Sequence, residues 1–258
     1  MLTLAKTKYL PSLKGKRWRD EDGNVSFTND RQRYIKRAKL KINIIQREGH
    51  ESAKYELFQR LNTGGASLSD QEVRSCVLIS VNRAYYKWIS DLSKTESFQQ
   101  CLPITDRQRS EQYDLELALR FVTLRSLNVV DIAGFRELGE YITDQSIIQA
   151  SNESFNYSHE SQIFIKTFEC LHAALEDDIF RRHTPSRDRF AGGFLISAFE
   201  VIALGVGYNI ATFDNAPSKI GGKVKKMWLE PEFLTLSDVR ATQRLPKTIP
   251  FGRDVIRK

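Results

Sequence analysis

The residues best suited to chemistry crowd one short stretch, Phe58-Gln-Arg-Leu-Asn-Thr-Gly-Gly-Ala-Ser-Leu-Ser-Asp-Gln-Glu-Val-Arg74. Arg60 and Arg74 carry guanidinium forks that pair bidentately with a phosphate or a carboxylate. Between them, Asn62-Thr-Gly-Gly65 reads as a tight turn. Such a turn exposes backbone amides close to a helix start, where phosphate binds readily. Asn62 either adopts a left-handed backbone or donates from its side-chain amide. Ser69 followed by Glu72 spells a capping box, and Leu68 before the cap suits a staple on Val73. The same spacing also describes a plain helix–turn–helix link whose arginines pair with Glu56 or Glu72. Both readings stay open on these residues alone.

Other constellations offer less. His50, His159, His172 and His183 show neither a His-Glu-x-x-His pair nor finger spacing. Asp177 and Asp178 end a predicted helix beside Arg181, Arg182 and His183; one acidic pair supplies too few oxygens for Mg²⁺ by itself. Gly221-Gly-Lys223 has neither the spacing nor the hydroxyl of a Walker loop. Cys76, Cys101 and Cys170 are odd in number and widely spaced, which fits a reducing compartment and predicts no disulfide framework and no zinc site.

The 258 residues carry a net charge of +7, and it is uneven. Residues 1–50 hold a net +8, residues 219–258 a net +6, and residues 51–218 a net −7. Excess Lys and Arg suit a polyanion, because their contacts with phosphate release condensed counterions. In the first 50 residues cations alternate with Tyr9, Trp18, Phe27 and Tyr34. That pattern suits nucleic acid, with Lys14, Lys16, Arg17 and Arg19 as candidate contacts. It equally suits aromatics that pack on a further part of a domain.

The elements that must position these residues are mostly helices. Residues 1–37 read as loop and turn, with a tip at Asp22-Gly-Asn24. Lys39 to Gln46 alternates and is rich in Ile, which predicts a strand. Apolar residues at helical spacing predict helices over 51–61, 69–92 (as one or two), 108–127, 135–148, 161–180 and 187–208. Phe194 to Ile210 is too short and too interrupted to span a bilayer and predicts a buried helix. Pro217, Gly221, Gly222 and Pro231 make residues 212–234 read as a linker, before a short last helix over 237–245. The expected fold is mainly α, a small N-terminal β part followed by a helical bundle. The start lacks the apolar run of a secretory signal, so a cytoplasmic protein without a membrane span is expected.

The stretch Phe58 to Arg74 resembles the second signature of a large bacterial family. This is the ParB/sulfiredoxin-like domain-of-unknown-function family typified by the N-terminal half of the GmrSD modification-dependent restriction enzyme. Weaker resemblance runs upstream through Thr7-Lys-Tyr-Leu-Pro-Ser-Leu13 and Trp18. Downstream it runs through Asp114-Leu-Glu-Leu-Ala-Leu-Arg-Phe121, Phe180-Arg-Arg and Phe190–Glu200, and covers residues 5–210 in all. The resemblance implies a nucleotide-dependent DNA nuclease or NTPase in defence against foreign or modified DNA. It makes Arg60, Asn62, Thr63, Gly64, Gly65, Gln71, Glu72 and Arg74 the candidate nucleotide- or phosphate-binding residues, with a nucleoside triphosphate and Mg²⁺ as the implied cofactors.

The family's first signature, Asp-Gly-Gln-Gln-Arg, has no counterpart. Asp30-Arg-Gln-Arg33 and Asp106-Arg-Gln-Arg109 lack the glycine and lie on the wrong side of the segment. The chain therefore resembles the family without its N-terminal sheet. The expected organisation is residues 1–68 as the C-terminal part of a ParB-like domain, 69–211 as a helical domain, and 212–258 as linker and basic tail. The expected function is a partial family member, inactive alone without the first signature: a remnant gene, a mis-called start, or one half of a split protein whose missing sheet comes from an upstream-encoded partner chain. The alternative is a non-catalytic DNA- or protein-binding helical module.

Overall fold

The computed structural model describes residues 3–5, 10–39, 68–128, 137–211, 217–236 and 239–257. The fold is mainly α, with one small two-stranded sheet among the described residues. The chain divides into two compact units, residues 1–49 and 50–258.

In the first unit, a turn at Pro11–Leu13 and two isolated bridges, Thr3 to Arg17 and Arg17 to Ser26, lead into helix α1, Asn29–Arg37. The sequence reads this region as irregular, but α1 carries its own signals. The Thr28 hydroxyl accepts from the Arg31 amide, Asp30 sits in the first turn, and Lys36 and Arg37 sit in the last. Those charges complement the helix dipole. The expected tip is a turn, closed by the Val25 amide on the Asp22 carbonyl at 3.0 Å. The strand predicted over 39–46 lies, apart from Lys39, outside the described residues, as does the helix predicted over 51–61.

The described part of the second unit begins with α2 (Asp70–Val81) and α3 (Arg83–Leu92), then α4 (Glu96–Gln100), α5 (Asp106–Ser110) and α6 (Tyr113–Leu124). Asn82 separates α2 from α3 and caps α3 by accepting from the Ala84 and Tyr85 amides. Helices α7 (Leu138–Ser151) and α8 (Tyr157–Leu175) follow. The run expected as a single helix over 187–208 is instead a hairpin and a helix. Strands β1 (Arg182–Thr184) and β2 (Arg189–Ala191) pair antiparallel, and α9 spans Ile196–Asn209.

Helix α9 is the middle of the core. Every residue from Ser197 to Gly207 is buried, as expected of a helix that is apolar all round. Phe199 meets Phe168 and Phe180, and Phe168 in turn meets Phe98, Phe121 and Phe164 at centroid distances of 4.6–5.3 Å. Such tilted and edge-on pairs add to plain area burial.

Residues 217–257 differ most from expectation. In place of a linker, α10 (Pro217–Met227) buries Ile220, Val224 and Met227, and packs on α8. A short α11 (Pro231–Leu234) precedes α12 (Ala241–Arg257), which crosses α9 closely. At that crossing Gly205 faces Gly252, backbone against backbone. Glu200 of α9, 1% exposed, accepts from Nε and Nη2 of Arg244 at 2.7 and 2.9 Å, and Arg120 stands 3.8 Å away. Arg253 of α12 donates to the carbonyls of Arg125 and Leu127, at 2.9 and 2.6 Å, satisfying acceptors just past the end of α6. No helix among the described residues is long and apolar enough to cross a membrane.

Candidate functional site

Helix α2 begins where the sequence places it. The Glu72 amide donates to Ser69 Oγ at 3.2 Å, and the Ser69 amide donates to Glu72 Oε2 at 2.7 Å, completing the capping box. The Ser69 hydroxyl also donates to the Glu111 carbonyl at 2.8 Å, which ties the helix start to the turn before α6. Glu72, a candidate ligand contact, is thus engaged with its own backbone.

Gln71 and Arg74 lie one turn apart on the buried face of α2. Arg74 is 1% exposed. Its Nε donates to Thr143 Oγ1 at 3.0 Å, Nη1 to Gln71 Oε1 at 2.5 Å, and Nη2 to the Gly139 carbonyl at 3.2 Å. The Ser75 hydroxyl donates to Gln112 Oε1 at 2.7 Å and extends the network to the start of α6. These side chains are fixed by α6 and α7, and they face the interior of the unit rather than open solvent. The remaining candidates of the motif, Arg60, Asn62, Thr63, Gly64 and Gly65, lie outside the described residues.

The four candidate cations of the first unit separate into two kinds. Arg17 sits in the middle of the fold: Nε donates to Thr3 Oγ1 at 2.9 Å and Nη1 to Asp20 Oδ2 at 2.7 Å. That hydrogen bond from Arg17 is the largest of the effects holding the Asp20 carboxyl below its ordinary range. Lys16 donates to the Asn24 carbonyl. Lys14 and Arg19 remain exposed.

Helix α1 adds cations that the sequence reading did not single out. Gln32, its one buried residue, donates Nε2 to the Trp18 carbonyl at 2.8 Å and to the Phe27 carbonyl at 3.1 Å. This anchor fixes the rotation of the helix. Arg31, Arg33, Lys36, Arg37 and Lys39 are left exposed, and Tyr34 is 80% exposed. Arg31, Arg33 and Arg37 form no ion pair among the described residues, and Lys36 lies 6.0 Å over the Trp18 ring. Arg33 and Arg37, four apart on one face, repel by a few tenths of a kcal/mol. The available signal was Thr28 as a cap before a run rich in cations. Trp18 and Phe27 stack edge to face at 6.0 Å, so of the four aromatics Tyr34 is the outward one and Tyr9 lies outside the described residues.

Elsewhere several titratable groups are tied to one another. Arg181 pairs with both Asp177, at 2.7 Å, and Asp178, at 3.4 Å, which neutralises the acidic pair. No cluster of three or more metal-donor side chains occurs among the described residues. Burial pushes the Cys101 thiol up to about 12. No protein family, curated protein or solved structure matches the chain.

Proposed function

We propose that this chain is a DNA-binding module, a partial member of the ParB-like nuclease/NTPase family linked to restriction of foreign or modified DNA, working in the cytoplasm. The supporting observation is the exposed face of α1 away from Gln32, where Arg31, Arg33 and Arg37 flank Tyr34, with exposed Lys36, one turn from Gln32 and over Trp18, at its edge. Like charges four apart on a helix cost stability in the free protein, and a phosphate backbone turns that cost into attraction. Lys14, Arg19 and Lys39 extend the cationic surface, and Tyr34 offers a ring on which a base can stack.

The test is duplex binding, followed by fluorescence anisotropy across a salt series. Four phosphate contacts give a slope of log K against log salt of about −3.6. The R33Q/R37Q variant is expected to bind more weakly and to lower the slope by about 1.8. Salt-independent or undetectable binding overturns the reading.

A second reading, nucleoside triphosphate with Mg²⁺ at the Arg60–Arg74 motif, draws support from the sharp start of α2. The cap at Ser69 fixes where α2 starts after the motif's turn, while Glu72 and Arg74 are engaged within the fold and leave Arg60 and Asn62 to carry the phosphate contact under this reading. Under this reading, catalysis requires the first signature from a partner chain. Mixing the chain with such a partner tests it: R60A and N62A abolish NTP hydrolysis if the reading holds and leave it unchanged if not.

A further inference from the structure

The geometry points to a second binding site, independent of the DNA-binding face: a cavity beside the β1–β2 hairpin that takes an anionic head group on a short apolar body. The cavity has a volume of about 310 Å³, within the range of small-molecule pockets. Arg182, the glycine pair Gly192–Gly193, Leu195, Trp228 and Leu234 line it.

Strand register places charge at this cavity. Arg182 pairs with Ala191 and Thr184 with Arg189. Paired residues project to the same face, and alternate residues along a strand share it. Arg182 and Arg189 therefore stand diagonally on one face together with Ala191, which lines the cavity. His183 and Phe190 take the opposite face, their rings 4.7 Å apart, with His183 buried. Neither Arg182 nor Arg189 forms an ion pair among the described residues.

The neighbouring acids are committed elsewhere. Asp188, at the hairpin turn, pairs with Lys225 at 2.8 Å and His183 at 3.1 Å. Asp177 and Asp178 both pair with Arg181, which also donates to the Gly192 carbonyl and holds the glycine loop. Glu230 and Glu232 line a separate depression with Lys247 and Asp254. What remains at the hairpin cavity is a free guanidinium above an aliphatic and aromatic wall. A carboxylate or phosphate monoester on an apolar body fits this arrangement. A neutral or cationic amphiphile gains nothing from the guanidinium and fits less well.

Two variants separate binding from folding. Arg182 is exposed, so R182Q removes the charge without disturbing the core. A Cβ added at Gly193 meets nothing within 4 Å, so G193L adds bulk to the lining of the cavity without a clash at Cβ. Octanoate, octyl phosphate, octanol and octylammonium are titrated into the full chain by ligand-observed NMR, with melting temperatures measured in parallel. Both anions are expected to bind and to raise the melting temperature. R182Q weakens the anions about tenfold, the worth of one charge-assisted hydrogen bond, and leaves octanol unchanged; G193L abolishes binding. The ratio of octanoate to octyl phosphate affinity tells a carboxylate ligand from a phosphate monoester. The proposal is overturned if octanol binds as tightly as octanoate, if R182Q binds octanoate like the unaltered chain, or if neither anion binds.

Discussion

Gly205 and Gly252 set how closely α9 and α12 approach, and an alanine at either position measures it. A Cβ built at 205 runs into the Gly252 carbonyl oxygen, with the carbonyl carbon at 2.7 Å and Ile256 Cγ1 at 3.1 Å. A Cβ at 252 runs into the Val201 carbonyl oxygen, with two more backbone atoms of Val201 at 3.0 Å. Carbon atoms prefer roughly 3.5–4.0 Å. The obstacles are backbone, so no side-chain rotamer relieves them and the helices themselves must part. Overpacking of this kind costs about 1–3 kcal/mol, and the upper end applies because nothing can swing away. Alanine recovers about 1 kcal/mol of helix propensity relative to glycine. The net loss is about 2 kcal/mol for each variant, or about 4–8 °C in melting temperature at this size. One separation relieves both clashes, so G205A/G252A loses less than the sum of the single variants. The control is G222A in α10, where an added Cβ meets nothing within 4 Å; it is expected to gain about 0.5–1 kcal/mol. Urea and thermal melts followed by far-UV circular dichroism read all four variants. If G205A and G252A match or exceed the unaltered chain, the backbone-to-backbone crossing is wrong.

R244M leaves Glu200 buried with Arg120 at 3.8 Å and the Thr248 hydroxyl at 3.4 Å. It is expected to cost about 3 kcal/mol in urea unfolding, the low end for a broken buried pair, while E200L/R244M recovers most of that loss; an R244M chain of unchanged stability refutes the role of the pair. Exposed Cys76 is expected to react first with a maleimide, and Cys101, its thiol pushed up to about 12, only on unfolding. Mass spectrometry of the modified chain reads the order, and early modification of Cys101 refutes it. Burial raises the Tyr85 phenol above its ordinary value, with Tyr157 and Glu160 adding to the effect. The unfolded chain then loses this proton first, so stability falls as pH rises past about 10. Urea midpoints between about pH 9 and pH 11 are expected to fall less steeply in Y85F.

Where local signals and burial agree, the sequence is read directly. Ser69 and Glu72 fix the start of α2 to the residue, because a cap depends on neighbours in the chain. Phe194 to Ile210 announces a buried helix, since no face of it is polar. Elsewhere the deciding partner is distant. Gly221 reads as a turn residue, yet it is buried inside α10 against α8, where an added Cβ would make only ordinary contact with the Ala174 carbonyl at 3.5 Å. Pro217 falls in the first turn of α10, where a missing N–H costs nothing. Pro246 and Pro250 ordinarily stop a helix, but α12 continues through both while packed on α9. The hairpin was hidden because each strand is three residues long, too short for alternation to register. At the candidate motif, the arginine forks of Arg60 and Arg74 look alike in sequence. Only the approach of Thr143 and Gly139 from α7 shows where Arg74 points.

The apolar girth of α9 also has a bearing on synthesis. A chain emerges from the ribosome in order at about 5–20 residues per second. Helix α9 is complete at Asn209, but the surface it offers to α12 stays uncovered until residues 241–257 have followed. For those seconds the most apolar of the described helices is bare along one side, with Gly205 marking an empty groove. The nascent chain is therefore at its stickiest between the synthesis of α9 and that of α12, the window in which a chaperone that grips apolar helices would find it.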